Sequence, residues 1–335
     1  MTRLLDGYDG VLLDLDGTVY RGRFAIPGAV PTVHAIRQAG RPMGFVTNNA
    51  SRGPAEVAAQ LTAFGFAVDP AHVITSAQAG AALLAERLDT GSAVLVVGTD
   101  ALADEVKAVR LAAVRTADEA PAGVVQGHSP ATCWSDLAEA CLAIRAGALW
   151  VACNVDPTLP TERGELPGNG AMVAALRAAT GLEPLVAGKP QRRLLDQAAA
   201  RIGARHPLVV GDRLDTDIAG ACAAGMDALL VLTGVSGLVD LLAAPPEQRP
   251  RFVAADLTAL LEPADSSEIT EQPGWYVELA GGVATLGHRT PADPADPLSA
   301  LRALCAAAWS ADRTPSAIRA ADDAARAALA ALGLP

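Results

Sequence analysis

Aromatic residues are scarce in this chain of 335 residues, which has four tryptophans, three tyrosines and five phenylalanines. Apolar residues still account for 51% of the chain, so its core must be built mainly from alanine, valine and leucine. No apolar run reaches the roughly 20 residues that a helix needs to span a bilayer. The first ten residues lack the apolar stretch of a signal peptide. These absences predict a cytoplasmic protein without membrane insertion.

Positive charge and cysteine are also in short supply. Lysine and arginine total 26 against 37 acidic residues, which gives a formal net charge of −11. Such a chain is a poor partner for nucleic acid or for an anionic membrane surface. The five cysteines are an odd number without CxxC spacing, which favours reduced thiols over a disulfide framework or a zinc site. A phosphorylated ligand would therefore need a few well-placed positive groups.

Short apolar runs alternate with helical segments over most of the chain, the pattern of an α/β protein with a doubly wound parallel sheet. The alternation is interrupted and then resumed, which predicts a core formed by residues 1–78 and 185–262 with an α/β domain inserted at 79–184. Residues 263–335 predict a small α+β extension, with a polar linker, a hairpin at 275–286, a Pro/Asp loop at 291–297 and two alanine-rich helices at about 297–310 and 315–331. No catalytic cluster is visible in this extension, and we expect the extension to serve in docking or dimerisation.

Two aspartates follow the first apolar run of the chain. Residues 11–13 predict a buried strand, and Asp14 and Asp16 come directly after it, before Gly17 breaks the strand. Because strand side chains alternate, both carboxylates should lie on one face at the strand's carboxyl end, where open α/β sheets bind ligands. Carboxylates this close repel each other unless a cation lies between them or one holds a proton. Mg²⁺ is the natural cation for such oxygen ligands, although Asp-Gly-Thr alone is also an ordinary turn.

The two aspartates suit two different steps of phosphoryl transfer. Asp14 is a candidate nucleophile, because a carboxylate that attacks phosphorus forms an aspartyl-phosphate and divides hydrolysis into two displacements. Asp16 can protonate the leaving alkoxide and then deprotonate the attacking water. The pair therefore predicts a phosphatase that works through a covalent intermediate.

Two later strand ends carry groups that can bind a phosphoryl group. Thr47, Asn48 and Asn49 offer a hydroxyl and successive main-chain N–H groups, which together can bind an anion. Lys189 lies at another predicted strand end, immediately before a helix, and supplies a point charge for a phosphoryl oxygen. Taken singly, an Asn-Asn pair is more often a loop cap and a lysine is more often a surface residue.

A fourth strand end is rich in carboxylates. Asp212 follows an apolar run and could complete a Mg²⁺ site with Asp14 and with the main-chain carbonyl of Asp16. Asp217 is better placed to hold a metal-bound water or Lys189. The joint occurrence of four such segments at strand ends, in this order, carries more weight than any one of them.

With these four motifs the chain resembles the haloacid dehalogenase superfamily of phosphohydrolases. The matching segments are Asp14-Leu15-Asp16-Gly17-Thr18, Val46-Thr47-Asn48-Asn49, Gly188-Lys189-Pro190 and Gly211-Asp212 to Asp217. The insertion between the second and third motifs is similar to the large α/β cap (C2-type) of the subclass with p-nitrophenyl, pyridoxal and glycerol phosphate phosphatases. The resemblance implies a Rossmann-like core, Mg²⁺ dependence with Mn²⁺ or Co²⁺ able to substitute, and a homodimer formed through the cap. It covers residues 8 to about 262.

The cap segment 154–170 bears on the choice of substrate, and we expect it to be a loop over the site. In pyridoxal phosphatases of this family, the position of Leu159 is usually a histidine that contacts the cofactor. Leucine there implies a small pocket, as in the glycerol phosphate and phosphoglycolate phosphatases. The favoured substrate is glycerol 3-phosphate, and phosphoglycolate, pyridoxal phosphate and p-nitrophenyl phosphate remain alternatives.

Other function classes explain fewer of these residues. A dehalogenase would use Asp14 and Lys189 but would need neither Asp16 nor a Mg²⁺ site. A phospho-receiver domain would lack the cap and would have no task for Asp16. A non-catalytic sensor of phosphorylated metabolites would fit the unusual extension, yet it would need neither a nucleophile nor a proton donor.

Overall fold

The computed structural model describes residues 2–161, 163–289 and 296–334. In chain order its strands are β1 (Gly10–Leu13), β2 (Tyr20–Arg21), β3 (Phe24–Ala25), β4 (Met43–Thr47), β5 (Val73–Thr75), β6 (Ala93–Val97), β7 (Ala112–Val114), β8 (Gly123–Gln126), β9 (Leu149–Ala152), β10 (Thr158–Thr161), β11 (Gly164–Pro167), β12 (Leu185–Val186), β13 (Pro207–Gly211), β14 (Ala228–Val231), β15 (Phe252–Ala254), β16 (Trp275–Ala280), β17 (Val283–His288) and β18 (Ala317–Ala320).

The α-helices are α1 (Ala29–Gln38), α2 (Pro54–Ala63), α3 (Ser76–Ala85), α4 (Asp100–Ala108), α5 (Trp134–Arg145), α6 (Asn169–Thr180), α7 (Arg193–Ile202), α8 (Ala219–Ala224), α9 (Leu238–Leu242), α10 (Pro297–Ser310) and α11 (Asp323–Ala331). None of these helices, within the part of the chain described, is both long and apolar enough to cross a membrane.

The chain divides into two compact units, one formed by Met1–Met43 with Ala204–Pro335 and the other by Gly44–Gly203. In the first unit, strands β1, β13, β14 and β15 pair in parallel in the spatial order β15-β14-β13-β1. Every residue of these strands is buried. Buried parallel strands need apolar side chains on both faces, which explains their continuous valine and leucine runs. The arrangement confirms the predicted α/β class with parallel sheets.

The carboxy-terminal extension contains the predicted hairpin but only half of the second predicted helix. Strands β16 and β17 pair antiparallel, and their turn uses Gly281 and Gly282 in left-handed conformations with φ of 58° and 81°. The predicted helix at 315–331 is wrong in its first half, because β18 pairs in parallel with β17 and only α11 is helical. Alanine is the strongest helix former, but intrinsic propensity amounts to only a fraction of a kcal/mol per residue, so pairing with a strand edge overrides it. The predicted loop at 291–297 lies largely outside the described residues.

The second unit contains a parallel pair, β4 with β5, and a five-stranded parallel sheet in the order β12-β9-β8-β6-β7. Helices α5 and α6 pack together, and a buried cluster that includes Leu95, Val124, Ile144, Trp150 and Leu176 fills the space between elements. The strands predicted at 93–97, 122–126 and 148–152 are confirmed within a residue or two as β6, β8 and β9. The short edge strand β7 is not predicted by the sequence. The domain boundaries drawn from the sequence stay a prediction.

The segment 154–170 is not simply a loop. It contains a short antiparallel hairpin in which β10 pairs with β11, and Leu159 lies opposite Leu166. The strands are four residues each, contain proline and are mostly solvent-exposed, so the alternation of apolar and polar residues that identifies a strand is weak here.

Candidate active site

The end of β1 places Asp14 and then turns the chain sharply. The N–H of Asp14 still donates to the Val210 carbonyl at 2.9 Å, so the parallel ladder fixes its main chain. Gly17 then takes φ of 87°, a left-handed conformation that residues with a side chain rarely adopt, and its N–H donates to the Tyr20 carbonyl at 2.8 Å. The aspartate therefore emerges from a rigid strand at the point where the chain leaves the sheet.

The end of the neighbouring β13 places two further carboxylates. Asp212 is 1% exposed and its Oδ2 accepts a hydrogen bond from the Val235 N–H at 2.7 Å. The next residues form a π-helical turn, Leu214–Ile218, in which the Ile218 N–H donates to the Arg213 carbonyl at 3.1 Å. This turn directs Asp217 back toward the strand end, where its Oδ2 accepts from the Arg213 N–H at 3.1 Å. Single π turns of this kind are frequent at functional sites.

Asp14, Asp212 and Asp217 form an acidic cluster. One carboxylate oxygen from each residue lies within 4.8 Å of the other two. Three oxygen donors at this spacing suit a hard divalent cation such as Mg²⁺, and without one their charges repel each other. Asp14 and Asp212 are where the sequence predicts metal ligands. Asp217 is predicted to lie outside the ligand set, yet its carboxylate is part of this cluster.

Two glycines allow main-chain segments to pack closely against Asp212. A Cβ atom added at Gly17 would overlap the Asp212 carboxylate, and one added at Gly234 would overlap it more severely. The main chain of the Asp14 turn and that of the segment after β14 can therefore approach Asp212 only because neither position carries a side chain. This close packing fixes Asp212 and fits a site that must hold its ligands at short range.

The carboxylate of Asp16 is not a member of this cluster, and the contact of its main-chain carbonyl with a metal stays a prediction. Its side chain is exposed on the turn after Asp14. Surrounding protein atoms nevertheless displace water from the carboxyl group and raise its pKa, against the opposing effects of main-chain hydrogen bonds from Gly22 and Gly17 and of the Arg21 charge. A raised pKa helps a carboxyl group to remain protonated and act as an acid.

The second unit holds the other predicted residues. Thr47 ends β4 and is buried, and its Oγ1 accepts from the Asn49 N–H at 3.1 Å. Asn49 in turn accepts from the Ser51 N–H at 2.8 Å through Oδ1. These bonds make residues 47–51 a tight turn at the carboxyl end of a strand, as an anion-binding loop requires.

Lys189 lies close to this turn and is 2% exposed. Its Nζ donates to the Val46 carbonyl at 3.4 Å, and its main-chain N–H donates to Asn48 Oδ1 at 2.8 Å. The structure thus brings Lys189 together with the Thr47–Asn49 turn. From the sequence, this proximity could be inferred only because both segments follow predicted strands.

Asp156 also belongs to this polar group, although the sequence did not single it out. Its two carboxylate oxygens lie 3.3 and 3.4 Å from Asn48 Nδ2. The available signal was its position, four residues after β9 and so at another strand's carboxyl end. Leu159 lies further along, partly buried on β10, and no described contact connects it to this polar group. Its role in substrate binding stays a prediction.

Family models match three stretches of the chain. A haloacid dehalogenase-like hydrolase model matches residues 11–112, and a related hydrolase-like model matches residues 186–260. A model of a GCN5-related N-acetyltransferase-like domain matches residues 272–334. The last match relates the extension to a domain family that the sequence motifs do not suggest.

Whole proteins resemble the chain as well. It is 51% identical to D-glycerol 3-phosphate phosphatase of Mycobacterium tuberculosis, over 98% of this chain and 95% of that protein. It is 38% identical to the 5'-nucleotidase YutF of Bacillus subtilis, over 68% of this chain and 89% of that protein.

Solved structures give the same picture. The glycerol phosphate phosphatase of Mycobacterium tuberculosis in complex with magnesium superposes with a TM-score of 0.95 at 51% identity, and the match covers 100% of both chains. A 4-nitrophenylphosphatase from Thermotoga maritima matches 78% of this chain and 100% of its own, with a TM-score of 0.73 at 30% identity. The chain therefore belongs to the haloacid dehalogenase-like hydrolases.

Proposed function

We propose that the protein is a Mg²⁺-dependent phosphatase that hydrolyses glycerol 3-phosphate to glycerol and phosphate through an aspartyl-phosphate on Asp14. The observation that carries the proposal is the acidic cluster, in which a carboxylate held at the end of β1 lies within 4.8 Å of two others. A divalent ion bound there would neutralise the charge of the phosphoryl group and of the attacking carboxylate.

The side chains of this protein divide the chemistry among them. Asp14 attacks phosphorus, and the bond to the leaving alkoxide breaks as Asp16 donates its proton to that oxygen. Asp16, now ionised, takes a proton from the water that attacks the aspartyl-phosphate, which releases phosphate and restores both residues. Lys189 and the Thr47–Asn49 turn bind the phosphoryl oxygens in both steps. Asp212 and Asp217 would hold the cation together with Asp14.

Two observations support glycerol 3-phosphate as the substrate. The relative that is 51% identical over 98% of this chain is named D-glycerol 3-phosphate phosphatase. Position 159 carries leucine, whose side chain can neither donate a hydrogen bond to a pyridoxal ring nor accept one from it. A small polyol ester needs no such contact. Phosphoglycolate and p-nitrophenyl phosphate are the esters to compare with it.

The experiment that tests the proposal is a kinetic comparison of small phosphate esters at saturating Mg²⁺. We expect the largest kcat/KM for glycerol 3-phosphate, lower values for phosphoglycolate and pyridoxal phosphate, and loss of activity when the metal is removed by a chelator. Activity that survives complete metal removal would contradict the role of the acidic cluster. A clear preference for another ester would contradict the substrate.

We further propose a cytoplasmic location, a cap domain at residues 79–184 and a homodimer formed through that cap. Exposed apolar side chains support the dimer. Trp134 is 82% exposed and Leu142 is 59% exposed, and both lie on α5. Large exposed apolar groups on one helix are typical of interaction surfaces.

A further inference from the structure

The side chain of Asn48 does more than cap a turn. Its Nδ2 donates to the Lys189 carbonyl at 3.0 Å, and its Oδ1 accepts from the Lys189 N–H at 2.8 Å. One carboxamide therefore satisfies both main-chain polar groups of Lys189, a residue 141 positions away in sequence. A pair of bonds to one residue's main chain fixes its orientation as well as its distance.

The same amide reaches a third segment. Asn48 Nδ2 also lies 3.3 Å from Asp156 Oδ1, on the segment between β9 and β10. This longer hydrogen bond to a carboxylate adds to the two bonds with Lys189, and together they fix the side-chain rotamer of Asn48. The two oxygens of Asp156 act only as acceptors when ionised, so Asn48 must present its NH₂ group, and its oxygen then faces the Lys189 N–H.

Buried amides hold the main chain of Asn48 in place. Asn154 Nδ2 donates to the Asn48 carbonyl at 2.7 Å, and Asn169 Nδ2 donates to the Asn154 carbonyl at 2.7 Å. Asn154 and Asn169 are 4% and 2% exposed. Buried and satisfied polar networks are rigid, because each broken bond would leave an uncompensated polar group. Asn154, which follows β9, and Asn169, which begins α6, thus fix the position of the Asn48 main chain.

We propose that Asn48 and Asp156 are a positioning pair for Lys189: the Asp156 carboxylate orients the Asn48 amide, which holds the lysine main chain so that Nζ meets the phosphoryl group. This inference rests on the proposed function, in which Lys189 binds phosphate. It assigns to the Asn48 side chain a role separate from that of its main-chain N–H in the anion-binding turn.

A swap of the two polar groups tests the pair. In Asn48→Asp, the acceptor for the Lys189 N–H remains, but the donor is lost and two carboxylates face each other. In Asp156→Asn, the new amide can still accept from Asn48. The double variant, which carries both substitutions, restores one donor and one acceptor between the two positions.

Glu139→Ala is a matched control. It removes another side chain of the second unit that makes a hydrogen bond to a main-chain group, but at a distant position in the sequence. Glu139 Oε2 accepts from the Ala117 N–H at 2.6 Å. Among the described residues it makes no hydrogen bond to Asn48 or Lys189. We therefore expect this variant to keep the wild-type kcat and phosphate affinity.

The readouts are kcat and KM for p-nitrophenyl phosphate, the dissociation constant of inorganic phosphate measured by calorimetry with Mg²⁺ present, and the melting temperature. A misplaced group can cost about a hundredfold in rate. We expect Asn48→Asp to lower kcat by about tenfold to a hundredfold and to weaken phosphate binding. Asp156→Asn should have a small effect, and the double variant should recover part of both losses.

Wild-type kcat and phosphate affinity in Asn48→Asp would overturn the proposal. So would a double variant no better than Asn48→Asp, or a loss in Glu139→Ala as large as that in Asn48→Asp. A wild-type protein that binds phosphate but hydrolyses no ester would contradict the proposed function instead, and the phosphate dissociation constants would still test the pair.

Discussion

Asp212 Oδ2 accepts a hydrogen bond from the Val235 N–H at 2.7 Å, which ties the carboxylate at the end of β13 to the segment that follows β14. Gly234 immediately precedes this donor, and a Cβ atom there would overlap the Asp212 carboxylate. The position of a candidate metal ligand therefore depends on a glycine that carries no functional group of its own.

Gly234→Ala should weaken Mg²⁺ binding without unfolding the protein. The added methyl group would overlap the Asp212 carboxylate and also lie 2.5 Å from its Cβ, so the partly exposed segment around Gly234 must shift as Asp212 rotates, and the Asp212 oxygen then leaves the acidic cluster. We expect the Mg²⁺ concentration for half-maximal activity to rise by about tenfold or more, since loss of well-placed metal contacts costs affinity on this scale. Gly7→Ala is the matched control, because no atom lies within 4 Å of a Cβ there. An unchanged Mg²⁺ requirement in Gly234→Ala would argue against Asp212 as a ligand.

Asp16→Asn should slow hydrolysis according to the leaving group. The glycerol alkoxide is strongly basic and needs a proton as it departs, whereas p-nitrophenolate leaves readily without one. General acid catalysis contributes about a hundredfold to ten-thousandfold, so we expect a loss of that size in the phosphorylation step with glycerol 3-phosphate and a much smaller one with p-nitrophenyl phosphate. Rapid-quench measurement of the first turnover separates this step from the second. Equal losses for both esters would contradict the proton-donor role.

Tyr8 makes the free energy of unfolding depend on pH in the alkaline range. Its hydroxyl donates to Asp227 Oδ2 at 2.7 Å, and burial together with this carboxylate raises the Tyr8 pKa. The unfolded chain loses this proton near pH 10 while the folded protein keeps it, so this contribution to stability is complete below about pH 10 and declines above it. Tyr8→Phe should cost about 1–3 kcal/mol at neutral pH.

Denaturant unfolding of the wild type and of Tyr8→Phe between about pH 7 and pH 11 checks this linkage. The stability difference between the two proteins should be constant at neutral pH and should shrink as the pH passes about 10. A difference that stays constant to the alkaline end would mean that the Tyr8 pKa is not raised by folding.

Trp134→Glu should convert the proposed homodimer into a monomer. A charge placed at this exposed position of α5 would have to be buried in the proposed interface without a partner, which is unfavourable. Light scattering at micromolar concentration measures the mass of each variant. Phe24→Glu is a suitable control, because Phe24 is 78% exposed but lies in the first unit. A monomeric wild type, or a Trp134→Glu dimer, would contradict the proposed interface.

The parallel core could be predicted well from the sequence because its signals are local. Each buried strand of the first unit is a continuous apolar run, and Asp14 and Asp212 come directly after two of them. Adjacent strand ends bring such residues together whatever the loops do, so two members of the acidic cluster can be identified without any geometry. The same reasoning identifies Lys189 and the Thr47–Asn49 turn.

The features that the sequence missed depend on geometry that no local sequence pattern reveals. Asp217 joins the acidic cluster because a π-helical turn redirects it, and no local pattern distinguishes that turn from an ordinary helix start. Asp156 matters through Asn48, which is 108 positions away. Strand β18 exists because β17 offers it an edge, against the helical preference of its alanines.

A covalent bond between Asp14 and phosphorus is the central claim of the proposed mechanism. The most direct test is to mix the Asp16→Ala protein with Mg²⁺ and p-nitrophenyl phosphate labelled in the phosphoryl group, because its leaving group departs without a proton from Asp16, then to quench in acid after the first turnover and map the label by mass spectrometry. Without Asp16 to activate water, we expect the label to accumulate on Asp14 and to be absent when Asn replaces Asp14. Label on another residue, or turnover of the ester in Asp14→Asn at the wild-type rate, would contradict the proposed mechanism.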